Sequence, residues 1–149
     1  MKRTNFNRLV EKIEDLARKK PKNIHYQICA LLKEEVFHYD WVGFYILNEN
    51  TLKLGAYVGK PTDHTRIAIG KGVCGQVAEK KKTIIVQDVS QEDNYISCSI
   101  DVQSEIVVPV LKDGEFVAEL DIDSHSPAPF SANDQLFLEK VCEILADTF

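Results

Sequence analysis

Glu105-Ile106-Val107-Val108-Pro109-Val110-Leu111 runs into Lys112-Asp113-Gly114-Glu115 and returns as Phe116-Val117-Ala118-Glu119-Leu120-Asp121-Ile122-Asp123. Two β-prone runs joined through Asp-Gly read as a hairpin, because the turn needs positive φ, which glycine supplies and aspartate tolerates. In the return strand a period of two sets Glu119, Asp121 and Asp123 on one face and Leu120 and Ile122 on the other. Three like charges in a row favour a cationic ligand or a shared proton. An ordinary half-buried strand with a wet acidic face accounts for the same pattern without a site. Glu105 opens the outgoing strand, which is otherwise apolar.

Upstream, Trp41-Val42-Gly43-Phe44-Tyr45-Ile46-Leu47 reads as a buried strand, 48–51 as a turn and 52–58 as the return of a first hairpin. Trp41, Gly43 and Tyr45 share a face. That face can wall a ligand pocket, with glycine leaving room, or can simply be core. Residues 59–65 read as an exposed loop, 66–69 as a short strand, 74–81 as a short glycine-flanked helix, 83–86 as a strand and 88–99 as a long polar loop.

Apolar residues recur at helical spacing at both ends of the chain. The set Phe6, Leu9, Val10, Ile13, Leu16 and Ala17 is followed by Ile24, Ile28, Leu31 and Leu32. Ser131 with Asp134 forms a capping-box start for a last helix striped by Leu138, Val141, Cys142 and Leu145. The expected architecture is α+β. A central, mostly antiparallel sheet has the N- and C-terminal helices packed on one face, and loops with the short helix form a pocket on the other.

The 149 residues suit one domain spanning 1–149. Apolar runs are strand-sized and too short to cross a bilayer, so no membrane association is expected. A net charge of −5 argues against a nucleic-acid partner, and Lys80-Lys81-Lys82 reads as the solvated end of a helix. Charged residues follow Met1 in place of an apolar signal core, so the expected location is the reducing cytoplasm. There, cysteines are seldom structural disulfides.

Four cysteines divide into two kinds. Cys29 and Cys142 lie in helical apolar stripes, as small buried hydrophobes do. Cys74, in Gly70-Lys71-Gly72-Val73-Cys74-Gly75, is expected in the first turn of a helix, where converging N–H groups lower a thiol pKa. It also reads as a small residue that merely fits a tight connection. Cys98, in Asn94-Tyr95-Ile96-Ser97-Cys98-Ser99, has no apolar stripe to bury it, and an exposed cysteine oxidises. No Cys-x-x-Cys or His-x-x-x-His spacing supports zinc on Cys74, Cys98, His64 and His125, and no metal site is expected. Neither a Walker nor a Rossmann glycine pattern is present.

Taken in order, Trp41-Val42-Gly43-Phe44-Tyr45, Gly70-Lys71-Gly72-Val73-Cys74-Gly75, Ser104-Glu105-Ile106-Val107-Val108-Pro109 and Leu120-Asp121-Ile122-Asp123-Ser124 resemble the free methionine-R-sulfoxide reductase family, a stand-alone branch of the GAF-domain superfamily. The resemblance implies a GAF-like fold and an oxidoreductase. Cys98, seven residues before Glu105, falls on the cysteine that attacks the sulfoxide sulfur, and Cys74 on one able to resolve the sulfenic acid as a disulfide. Glu105, Asp121 and Asp123 fall on the acidic pocket for the substrate ammonium, which also assists protonation of the sulfoxide oxygen. Trp41 and Tyr45 fall on the aromatic wall beside the methyl-sulfur end. The resemblance further implies no prosthetic cofactor, a thioredoxin-like dithiol as external reductant and a homodimer. A non-catalytic GAF module that binds a small molecule or senses redox state is the alternative.

Three features depart from the family pattern. The family's further cysteine, ten residues before Cys74, is His64 here. The residues around Cys98 differ from the usual Gly-His-Ile-Ala-Cys-Asp. Glu119 adds a substrate-side carboxylate where a small apolar residue is common.

Overall fold

Apolar stripes at both ends of the chain become helices that cover one face of a single sheet. The computed structural model describes residues 4–92 and 101–149. Helices α1 (Phe6–Lys19) and α2 (Ile24–Glu35) lead into strands β1 (Trp41–Asn48), β2 (Thr51–Val58) and β3 (Arg66–Ala68). Helix α3 (Gly72–Lys80), strand β4 (Ile84–Val86), the hairpin β5 (Ser104–Lys112) and β6 (Glu115–Ser124), and helix α4 (Ala132–Leu145) complete the order. The six strands lie as β3-β2-β1-β6-β5-β4, with every neighbouring pair antiparallel. The α+β architecture expected from the sequence is thus present, and the boundaries move by only a few residues. The largest shift is α3, which begins at Gly72 and not at Cys74.

Alternation along the central strands divides two cores. On one face Val42, Phe44, Ile106, Val108, Leu120 and Ile122 meet Leu9, Ile13, Ile28 and Leu32 of α1 and α2 and Leu138, Val141 and Leu145 of α4. Full burial of each such side chain stabilises the fold by roughly 1.5–3 kcal/mol. Cys29 and Cys142 belong to this core, and burial raises both thiol pKa values well above the ordinary range. They are packing residues, as their stripes indicate. The opposite face carries Trp41, Tyr45, Leu52, Ile67, Val107 and Phe116 beneath Val73, Cys74 and Val77 of α3.

One polar knot ties the helical layer to the sheet. Ser131 and Asp134 form the capping box of α4, as their spacing predicts. The same carboxylate lies 2.7 Å from His38 Nε2 and accepts a hydrogen bond from Tyr39 Oη at 2.7 Å, and it is 3% exposed. Burial alone would raise its pKa, but the contacts to His38, Ser131 and Tyr39 outweigh burial and hold it at about 2. Because the folded value lies below the unfolded one, this stabilisation is complete above about pH 4 and is lost as pH falls toward 2. A carboxyl held down from 3.8 to about 2 contributes roughly 2 kcal/mol. Asp134→Ala is expected to lower the melting temperature at pH 7 and to remove most of the wild-type loss of stability between pH 4 and pH 2.5. Thermal melts followed by circular dichroism at the three pH values check this, and a variant that keeps the wild-type pH dependence contradicts it.

Candidate functional site

Strand register assembles the site. In the β1–β6 pair Trp41 stands opposite Asp123, Gly43 opposite Asp121 and Tyr45 opposite Glu119. On the other edge of β6, Glu105 of β5 stands opposite Asp123 and Val107 opposite Asp121. Residues directly opposite point to the same side of a sheet. The aromatic face of β1 and the acidic face of β6 are therefore one surface, and α3 covers it.

Two glycines allow that cover. A Cβ on Gly75 would lie 2.6 Å from the Ala68 carbonyl oxygen, so only glycine lets α3 pack so closely on the end of β3. A Cβ on Gly43 would lie 2.4 Å from Trp41 Cη2. The room that glycine leaves is thus filled by the indole of its own strand neighbour and is not left for a ligand. Trp41 stacks on Tyr57 at 5.5 Å, donates from Nε1 to the Lys60 carbonyl at 3.0 Å and does not line the cavity.

Cys74, Tyr45, Glu105 and Asp121 do line it, with His64, Ile67, Lys71, Gly72 and Val73. The space it leaves is small, on the order of one water molecule. His64, weighed in the sequence only as a metal ligand and a replaced cysteine, supplies part of the wall, and its carbonyl accepts a hydrogen bond from Tyr45 Oη at 2.8 Å. Lys71, at the N-cap position of α3, is a wall residue to which no sequence motif gives a role. Its position just before the helix start was the one available signal. Cys98 lies outside the described residues. A larger open groove beside Thr83, Pro109 and Glu139 contains no thiol.

Burial decides the chemistry of the acids. Glu119 is 0% exposed, Asp121 and Asp123 1% each, and Glu105 4%. The wet acidic face that alternation allows is not what forms. Both carboxyl oxygens of Glu119 and Oδ1 of Asp121 are without a hydrogen-bond partner among the described residues. Burial pushes the pKa of Glu119 well up; the Cys74 thiol beside it opposes this without cancelling it, and the charge of Asp121 adds a smaller upward push. Asp121 is raised by burial against the opposing contacts of Glu105 and Cys74. An isolated buried carboxylate takes up a proton or a cation to avoid the desolvation cost, and burial biases Glu119 and Asp121 that way.

Cys74 Sγ donates to Asp121 Oδ2 at 3.5 Å. A thiol has a single hydrogen, so Glu119 beside it goes without. The expectation of a lowered thiol pKa from the α3 N-terminus is overturned. Burial, followed by the charges of Asp121, Glu119 and Glu105, raises it well above the ordinary value. A low dielectric shared with three acids outweighs the partial charge of a helix end. Asp121→Asn is expected to lower the Cys74 pKa, so that iodoacetamide alkylation of Cys74, read by peptide mass spectrometry, reaches its half-maximal rate at lower pH than in the wild type. An unchanged pH midpoint contradicts this electrostatic account.

Known proteins share this fold and much of this sequence. Residues 21–148 match the GAF domain. The free methionine-R-sulfoxide reductase of Escherichia coli (strain K12) is 36% identical over 112 residues, covering 75% of this chain and 67% of that one. The structure of type II free methionine-R-sulfoxide reductase from Thermoplasma acidophilum superposes with a TM-score of 0.81 at 39% identity, covering 91% of this chain and 93% of that one. That of the Neisseria meningitidis free methionine-R-sulfoxide reductase in complex with its substrate gives 0.89 at 34% identity, covering 97% and 87%.

Proposed function

The chain belongs to the free methionine-R-sulfoxide reductase family of GAF-domain proteins, and from that membership and its buried acid–thiol pocket we propose that it reduces free methionine-R-sulfoxide to methionine. The observation that carries the reading is the contact of Cys74 with a set of buried acids whose pKa values are raised. Sulfoxide reduction needs both a thiol and a proton source, because the sulfoxide oxygen departs only when protonated.

In the proposed cycle the Cys98 thiolate attacks the sulfoxide sulfur while the acid cluster delivers a proton to its oxygen. The oxygen passes to Cys98 as sulfenic acid and methionine leaves. The substrate sulfur gains two electrons and the Cys98 sulfur loses two. Cys74 then attacks the sulfenic sulfur, an S–S bond forms and water departs with the Cys74 proton. A thioredoxin-like dithiol reduces the disulfide by exchange and is itself oxidised. Asp121 Oδ2 is placed to take the Cys74 proton, which matters because that thiol does not ionise readily by itself.

Glu105, Asp121 and Asp123 serve the substrate ammonium, and Glu119 extends that acidic floor. Tyr45 presents its ring to the methyl-sulfur end, its hydroxyl being engaged by His64, and Trp41 backs the same wall from beyond the cavity. The whole chain works as one domain, in the cytoplasm and as a homodimer.

Separate R and S epimers of free methionine sulfoxide, incubated with dithiothreitol or with thioredoxin, test the reading. Methionine is expected from the R epimer only. Cys98→Ser abolishes turnover, Cys142→Ser leaves it unchanged, and Cys74→Ser turns over with dithiothreitol but stalls with thioredoxin. Asp121→Asn loses on the order of a hundredfold in kcat, the size of a general-acid contribution. Since the protonated acid is the working form, kcat/KM falls as pH rises through its raised pKa. Absence of methionine from either epimer overturns the assignment in favour of a non-catalytic binding or redox-sensing module.

A further inference from the structure

We propose that the same pocket binds a thiophilic divalent cation of the zinc class, held by Cys74 Sγ and by carboxylate oxygens of Glu105 and Asp121, with Glu119 behind them in the buried cluster. One donor atom from each of Cys74, Glu105 and Asp121 lies within 4.8 Å of the others. The 3.5 Å from Cys74 Sγ to Asp121 Oδ2 compares with about 3.6 Å for the sulfur–oxygen edge of a tetrahedral zinc site.

Asp121 supplies the independent observation. It is 1% exposed and lines the pocket, yet its Oδ1 is without a hydrogen-bond partner among the described residues, as are both carboxyl oxygens of Glu119 behind it. Buried polar atoms are almost always paired, and a cation is what this donor set fits. A thiolate among the donors favours zinc, cobalt or cadmium over calcium and magnesium, which take oxygen ligands and more of them. Space for about one water also suits a small ion.

No spacing along the chain announces the set, because its donors come from α3, β5 and β6 and converge only through strand register. Binding exchanges protons for metal. The Cys74 proton and at least one carboxyl proton pass to solvent as the ion enters, with no change of oxidation state. Bound metal occupies the thiol that the reductase cycle needs as resolver, so metal and sulfoxide exclude each other. The site itself rests on the donors and stands even if the chain never turns over sulfoxide.

Titration of the reduced full-length protein with Co²⁺ tests this. A single tight equivalent is expected, with a near-ultraviolet thiolate-to-cobalt charge-transfer band that Zn²⁺ removes. Cys74→Ser abolishes the band and Cys142→Ser keeps it. Glu119→Gln and Asp121→Asn, with unchanged circular dichroism, weaken Co²⁺ binding on the order of tenfold. Absence of the band, its survival in Cys74→Ser, or wild-type affinity in both carboxyl variants overturns the proposal. The carboxyl variants decide the matter alone if Cys74→Ser does not fold.

Discussion

Burial of the acidic face of β6 beneath α3 is the constraint on which the site depends. Glu119, Asp121 and Asp123 occupy alternate positions of a central strand, flanked by β1 on one side and β5 on the other, and covered by a helix that Gly75 lets come close. The raised pKa values of Glu119 and Asp121 and the raised pKa of the Cys74 thiol follow from that one placement.

Such a placement destabilises the fold, and the opposite face of the same strands offsets it. An unsatisfied buried polar group costs about 1–3 kcal/mol. Leu120 and Ile122, which alternate with the acids along β6, are fully buried against the three-helix layer together with Phe44, Ile106 and Val108. The Asp134 knot fixes that layer at the start of α4. The sheet thus works as a partition, with a conventional apolar core on one side supporting a frustrated polar pocket on the other.

How much of this could be read from the residues varies with the range of the interaction. Alternation in 119–123 and the shared face of Trp41 and Tyr45 are local properties and were legible, as was the hairpin turn at Asp113-Gly114. Whether the acidic face is wet or buried depends on where α3 lands, some forty residues earlier in the chain, and periodicity carries no information about it. The same distance explains the reversal at Cys74. Its local setting at a helix start favours a thiolate, whereas its long-range neighbours Asp121, Glu119 and Glu105 oppose one. At Gly43 the missing side chain was legible, but its occupant was not, since the space belongs to the Trp41 ring. The attacking role of Cys98 comes from the family resemblance and lies outside the described residues.

Isotope-edited infrared spectroscopy of the reduced, ligand-free protein at pH 7, with labelled aspartate and glutamate carboxyl groups, reads the central claim most directly. A protonated-carboxyl stretch that shrinks in Asp121→Asn and in Glu119→Gln is the predicted result, and it should shift when methionine sulfoxide enters the pocket. A spectrum in which every carboxyl group is ionised at pH 7 would contradict the account, because an acidic strand that stays charged is not buried as the fold requires.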